Sequence, residues 1–176
     1  MAEPDRRVIY RGRKIDLALQ SVTRRDGRTV DREVVLHRGA VVMLPMLDGD
    51  RICLVENHRY AVNKSLIELP AGTIDPGEPP DATASRELRE ETGYTAESVR
   101  RIGEWYVSPG VLNERMYLYL CERLTPGPTE HQPDELLTPI VVPWDDALLM
   151  VADGRIDDAK SMLGLLIGQR HRTGQG

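Results

Sequence analysis

Residues 72–94 read GTIDPGEPPDATASRELREETGY. Pro79-Pro80-Asp81 is a helix entrance with Asp81 as its candidate N-cap. The helix is expected to run to about Thr92, where Gly93 ends it. With Glu87 as reference, Glu90 falls about 60° to one side and Glu91 about 40° to the other. Three carboxylates therefore share an arc of ~100°. Two such charges ~5 Å apart repel by roughly 3 kcal/mol at an effective dielectric of about 20. Arg86 and Arg89 offset part of this. A further positive group belongs among them, and hard oxygen ligands in a partly open cluster suit Mg²⁺ or Mn²⁺, which keep waters and bridge to phosphate oxygens. On the helix alone, a solvated acidic face with arginine partners explains the same residues.

Outward from this helix, the chain reads as mostly strand. Residues 8–37 form a small antiparallel β unit, with the turn Arg25-Asp26-Gly27-Arg28 between Ile15–Val22 and Val30–His37. Gly39 opens a second unit. Ala40–Leu47 and Ile52–Val55 flank the hairpin turn Asp48-Gly49-Asp50, and Ser65–Leu69 is a short strand ending at Pro70. Val99–Val107, Met116–Cys121 and Ile140–Val142 are further strands. Pro126–Pro133 is a polar loop, and Trp144–Val151 and Asp158–Gly168 are closing helices before a tail expected to fray. The order predicts an α+β chain, an α/β/α sandwich on a mixed sheet. Its expected divisions are a β unit over 1–38, a main domain over 39–170 and a tail over 171–176.

Composition narrows the partners. The 176 residues carry a net charge of −5, with 40% hydrophobic and 29% charged residues, as in an ordinary soluble domain. That acidity argues against nonspecific nucleic-acid binding but leaves room for a small anion in a locally positive site. Phenylalanine is absent, so Leu, Val and Ile must fill the core. Cys53 and Cys121 lie in apolar, strand-like runs and read as buried small hydrophobes. No signal-type segment and no membrane-length apolar run is present, so a reducing cytoplasm is expected.

The whole spacing is G-x5-E-x7-R-E-L-x-E-E-x-G-Y, from Gly72 through Glu78, Arg86 and Glu87 to Tyr94. It resembles the signature box of the Nudix hydrolases at every defining position. The resemblance implies hydrolysis of a nucleoside diphosphate linked to another group, on an α/β/α sandwich whose box forms a loop, a helix and a loop. It further implies that Glu87 and Glu91 are direct metal ligands and Glu90 a third acid of the cluster. Glu78 would assist a metal or orient Arg86, Ala71 would offer its carbonyl, and Gly72 would allow close backbone approach.

Three features are similar to the ADP-ribose and nucleotide-sugar subgroup: the lead-in Glu68-Leu69-Pro70-Ala71-Gly72, Pro109 fifteen residues beyond Tyr94, and the N-terminal β unit. By that resemblance Arg59, in ENHRY, would grip the diphosphate with its planar fork. Asn57 and His58 depart from the family's glutamine and aromatic there. Arg32 would reach a partner subunit's site in a homodimer formed through the β unit, and Glu114 would touch the sugar-phosphate part. The general base is expected in the loop TEHQPDELL, at Glu135, then Asp134, then Glu130, or else at a box glutamate. Pro133 occupies one position where an acid is usual, which favours GDP-mannose-type relatives. The expected reaction is Mg²⁺- or Mn²⁺-dependent cleavage of ADP-ribose to AMP and ribose 5-phosphate. GDP-mannose is the second candidate, and a non-cleaving Nudix-like sensor is the alternative from another class.

Overall fold

The apolar run Ala40–Leu47 decides the architecture, because both of its faces are buried. In the computed structural model, which describes residues 5–48, 50–130 and 136–174, it forms β4 at the centre of a seven-stranded mixed sheet. Three strands precede it: β1 (Arg6–Arg11), β2 (Ile15–Thr23) and β3 (Thr29–His37) make a separate antiparallel sheet. After it come β5 (Arg51–Arg59), β6 (Lys64–Glu68), β7 (Ala71–Thr73), α1 (Pro80–Thr92), β8 (Tyr94–Tyr106), β9 (Arg115–Pro126), β10 (Leu137–Pro143), α2 (Trp144–Ala152) and α3 (Ala159–Arg172). The main strand order is β10-β5-β4-β9-β8, with β4 and β9 parallel and the other pairs antiparallel.

The two faces of β4 feed two cores, as a period of two demands. Val42 and Leu44 pack with Leu118, Trp144, Ala147 and Leu165, under α2 and α3. Val41 and Met43 pack with Ile74, Ala84, Leu88, Tyr119 and Cys121, under α1. The sandwich is thus α1, sheet, α2 with α3. On the α3 side two glycines bring helix and sheet together. A Cβ on Gly164 would lie 2.5 Å from Leu69 Cδ1, and one on Gly168 would lie 2.9 Å from the Trp144 ring.

The sheet splits beside its central strand. β4 pairs with β5 only at Met46–Ile52 and Leu47–Arg51, next to their turn. Farther along, β4 takes β7 as its partner and β5 takes β6. Pro70 turns the chain between those two, and its carbonyl accepts the Met43 amide at 2.9 Å. The ends of β5, β6 and β7 therefore gather at the split, directly below α1.

Several expectations are refined. β7 was not anticipated; three residues carry no readable periodicity. Asp81 is not the N-cap of α1: Pro79 holds that position and Pro80 is the first helical residue, where its missing N–H costs nothing. Asp81 instead accepts the Tyr119 hydroxyl at 2.5 Å, joining the first turn to the sheet. Gly93 ends the helix at φ 75°, its amide returning to Arg89. α3 continues through Arg172, into the stretch expected to fray, and Asp158 caps its start by accepting the Ser161 amide. Of the expected turn at 48–50, Gly49 lies outside the described residues. Both cysteines are buried, and burial pushes each thiol up to about 12. No helix among the described residues is long and apolar enough to cross a membrane.

Candidate active site

Arg86 organises the acidic helix. Its Nε and Nη2 donate to the two oxygens of Glu78 at 3.0 and 2.9 Å. Its Nη1 donates to Glu87 at 2.8 Å and to Glu90 at 3.1 Å. A guanidinium does this because its planar donors reach several carboxylates without changing charge. The Arg86 fork, aided by the Thr83 hydroxyl, holds the Glu78 carboxyl down at about 2. Glu78 leads the acids that in turn hold Arg86 well above its ordinary value.

Glu91 faces the other way. Its carboxylate accepts the Ala71 amide at 2.9 Å, tying α1 to β7 across the loop. Glu87 lies flat on the neighbouring residue: a Cβ on Gly72 would sit 1.9 Å from Glu87 Cδ. The β7 glycine is therefore a steric requirement of the helix glutamate. Arg86 and the Ala71 amide draw these carboxylates toward separate donors. Among the described residues no group of three or more His, Cys, Asp or Glu side chains is gathered closely enough to hold a metal ion as it stands. The donor set nevertheless suits a hard divalent cation. It is all oxygen and partly shielded: Glu78, Glu87 and Glu90 gather on Arg86, and Glu91 stands beside Ala71.

A cavity of about 710 Å³ opens over this cluster at the split in the sheet. Its floor is Ala71, Gly72, Arg86, Glu87 and Glu91, and Arg59 at the end of β5 stands on its wall. A second cavity of about 340 Å³ shares Arg59, Ala71 and Gly72, and extends past Glu114 to Asp158 and Lys160. Glu114 thus borders the site, with His37 Nδ1 3.5 Å from its carboxylate. Arg32 lines neither cavity; it lies exposed on β3, opposite Gln20 of β2. Glu130 sits against the end of α1, its amide on the Glu90 carbonyl and its carboxylate 3.4 Å from Arg89. Asp134 and Glu135 lie outside the described residues, while Leu136 lines the larger cavity.

Two sets of residues escaped the sequence reading. Arg13 and Lys14, in the turn between β1 and β2, and Arg38, after β3, line the larger cavity together with the box acids Glu87 and Glu91. Nothing local marks them, since arginine is frequent throughout residues 6–38. The other set is the ion chain behind Arg59, centred on the buried Glu68 and Lys160. Arg59 clasps Glu68 through Nε at 2.9 Å and Nη2 at 2.5 Å. Glu68, 1% exposed, also accepts Lys160 Nζ at 2.6 Å, and Lys160 reaches Asp158 at 2.7 Å. The bond to Glu68 leads the effects that raise the Arg59 guanidinium above its ordinary value. Burial opposes ionisation of Asp158, but Lys160 and Ser161 outweigh it and hold that carboxyl low. The ELPAG lead-in contains Glu68, but its partner Lys160 lies 92 residues away and no spacing reveals it.

Residues 36–164 match the family model described as the NUDIX domain. This chain belongs to the Nudix hydrolases. The Nudix hydrolase is 37% identical over 155 residues to the ADP-ribose pyrophosphatase of Bacillus subtilis (strain 168), an alignment covering 87% of this chain and 84% of that one. It is 34% identical over 142 residues to the GDP-mannose pyrophosphatase of Yersinia pestis (strain Pestoides F), covering 76% and 71%. Its fold superposes with a TM-score of 0.84 on a crystal structure described as an ADP compounds hydrolase, at 22% identity and covering 100% and 97% of the two chains. Both sequence relatives are named as pyrophosphatases, one of ADP-ribose and one of GDP-mannose.

Proposed function

We propose that this Nudix hydrolase cleaves ADP-ribose to AMP and ribose 5-phosphate with the help of Mg²⁺ or Mn²⁺. One observation supports the reading above all. The cavity of about 710 Å³ is lined both by the box acids Glu87 and Glu91 and by the cations Arg13, Lys14, Arg38 and Arg59. Carboxylates alone would repel a diphosphate, and cations alone would bind it without preparing it for water. A site with both signs suits an anion that arrives with a metal ion.

Glu87, Glu91 and Glu90 would hold the metal with the Ala71 carbonyl, and Glu78 would support it through Arg86. Bound there, the ion would neutralise charge on the diphosphate and lower the pKa of a water. The chain's own residues do the rest. Arg59 receives diphosphate oxygens on its fork. Arg86 holds the Glu87 and Glu90 carboxylates together, with Glu87 on the cavity lining. Glu135, next in sequence to the cavity residue Leu136, takes the proton of the attacking water, with the box glutamate Glu90 as the alternative base. Glu114 contacts the sugar-phosphate part from the smaller cavity, and Arg32 acts across a homodimer interface built on the β1–β3 sheet. Most of the rate enhancement is then electrostatic positioning of the phosphoryl oxygens.

GDP-mannose is the second reading, favoured by Pro133 where an acid is usual in the base loop. A substrate panel of ADP-ribose, GDP-mannose and diadenosine compounds, with Mg²⁺ and with Mn²⁺, tests both. ADP-ribose should give the highest kcat/KM. A preference for GDP-mannose replaces the first reading with the second, and no turnover of any member overturns both.

A further inference from the structure

Lys160 has no counterpart in the box chemistry, yet it is buried beside the site. It comes from α3, on the opposite side of the sheet from the acidic helix, and meets Glu68 at the end of β6. Four charged groups alternate in sign along the chain Arg59, Glu68, Lys160, Asp158. The outer end is fixed, because Asp158 caps α3 and the Ser161 hydroxyl accepts the Leu69 amide at 2.7 Å. The inner end is Arg59, whose side chain keeps 39% exposure and lines both cavities. Lys160 and Arg59 donate to the same oxygen of Glu68, Oε2. Lys160 thereby takes part of the carboxylate charge that Arg59 would otherwise neutralise alone.

We infer that Lys160 is a positioning residue: acting through Glu68, it fixes the Arg59 guanidinium at the cavity wall and leaves it net positive charge for the substrate's diphosphate. The inference deepens the proposed reaction and rests on it for the role of Arg59. Without Lys160, the buried Glu68 and the partly buried Asp158 would be two acids near one cation, Arg59. Arg59 would be drawn toward them and its charge spent inside the protein. Neutralising Asp158 as well leaves the balanced pair Arg59–Glu68, and asparagine is as good an N-cap as aspartate.

The test compares the intact wild type, Lys160→Met, and Asp158→Asn combined with Lys160→Met. Steady-state kinetics with the best panel substrate is paired with calorimetric titration of inorganic pyrophosphate in EDTA. Lys160→Met should raise KM about tenfold with kcat within about twofold, the sign of lost uniform binding. Its pyrophosphate affinity should fall by the same factor. The double variant should return both to within about threefold of wild type. An unchanged KM in Lys160→Met, or a double variant no better than the single one, overturns the inference, since a merely structural lysine gives losses that add. Wild type that binds no pyrophosphate overturns it as well. Should Lys160→Met fail to fold, Lys160→Gln takes its place with the same expectation. A wild type that turns over no substrate but binds pyrophosphate with this pattern defeats the proposed reaction and leaves the role of Lys160 standing.

Discussion

Gly72 lacks a side chain because Glu87 occupies the space one would take. Gly72→Ala should leave the fold intact, since the atom it strikes ends a flexible side chain. Displacing that carboxylate by about 1 Å should lower kcat about a hundredfold. A thermal melt within a few degrees of wild type beside that loss is the expected pair of readings. Glu91→Gln tests the same floor from the other side. The amide can still accept the Ala71 N–H, so the protein should fold, while divalent-ion-dependent turnover falls at least about a hundredfold. Near-normal rates at saturating Mg²⁺ would count against the assignment. At this scale the sequence was legible where one helix does the gathering: Glu87, Glu90 and Glu91 are neighbours by periodicity alone. It was silent on Arg13, Arg38 and Lys160, which the tertiary fold delivers from distant segments.

The elements show how local chemistry sets the geometry of the site. α1 starts at a proline and is braced by Arg86, which bridges the preceding loop at Glu78 to the helix face. The Glu78 carboxyl titrates near 2 in the fold against an ordinary 4.5. A depressed carboxyl adds stability that is complete above 4.5 and lost as pH falls toward 2. Urea midpoints should therefore show wild type more stable than Glu78→Gln near neutrality. The gap should narrow below pH 4.5 and close near 2; a gap that does not vary with pH would break the link. α3 offers a packing test. Gly168→Val drives a branched side chain at the Trp144 ring, 2.9 Å from the first carbon added, and should cost about 1–3 kcal/mol in chemical denaturation. The long elements were readable because their apolar residues recur or run unbroken, as in Ala40–Leu47. β7 was not, because three residues around a glycine become a strand only when β4 supplies the partner. Asp81 was misread as a cap because a side chain bound to a distant tyrosine looks, in sequence, the same as one bound to its own helix.

Across the whole molecule, the β1–β3 sheet joins the main body through a few backbone bonds, chiefly Val35 with Val111 and Asn113. It leaves Ile9, Tyr10, Ile15 and Val22 exposed. A second copy covering that sheet would bury these side chains, and a stable interface needs about 800 Å² per partner. Light scattering should give twice the chain mass for wild type. Tyr10→Asp with Ile15→Asp should shift it to the monomer; a wild-type monomer at all concentrations removes the dimer and with it the reach of Arg32. The layering of helices and mixed sheet was foreseeable from element order. The split between β4 and β5, which opens the cavity, was not, because it depends on which strand wins each backbone edge.

The anchoring of Glu68 and Leu69 by Lys160 and Ser161 imposes an order on biosynthesis. Every box residue leaves the ribosome well before α3 does. A nascent chain still tethered near residue 150 can form its acidic helix, but it holds Glu68 without its lysine and the Leu69 amide without its hydroxyl acceptor. The diphosphate-binding wall is thus completed only when the carboxy-terminal helix emerges, and an unfinished polypeptide should hold pyrophosphate more weakly than the finished chain.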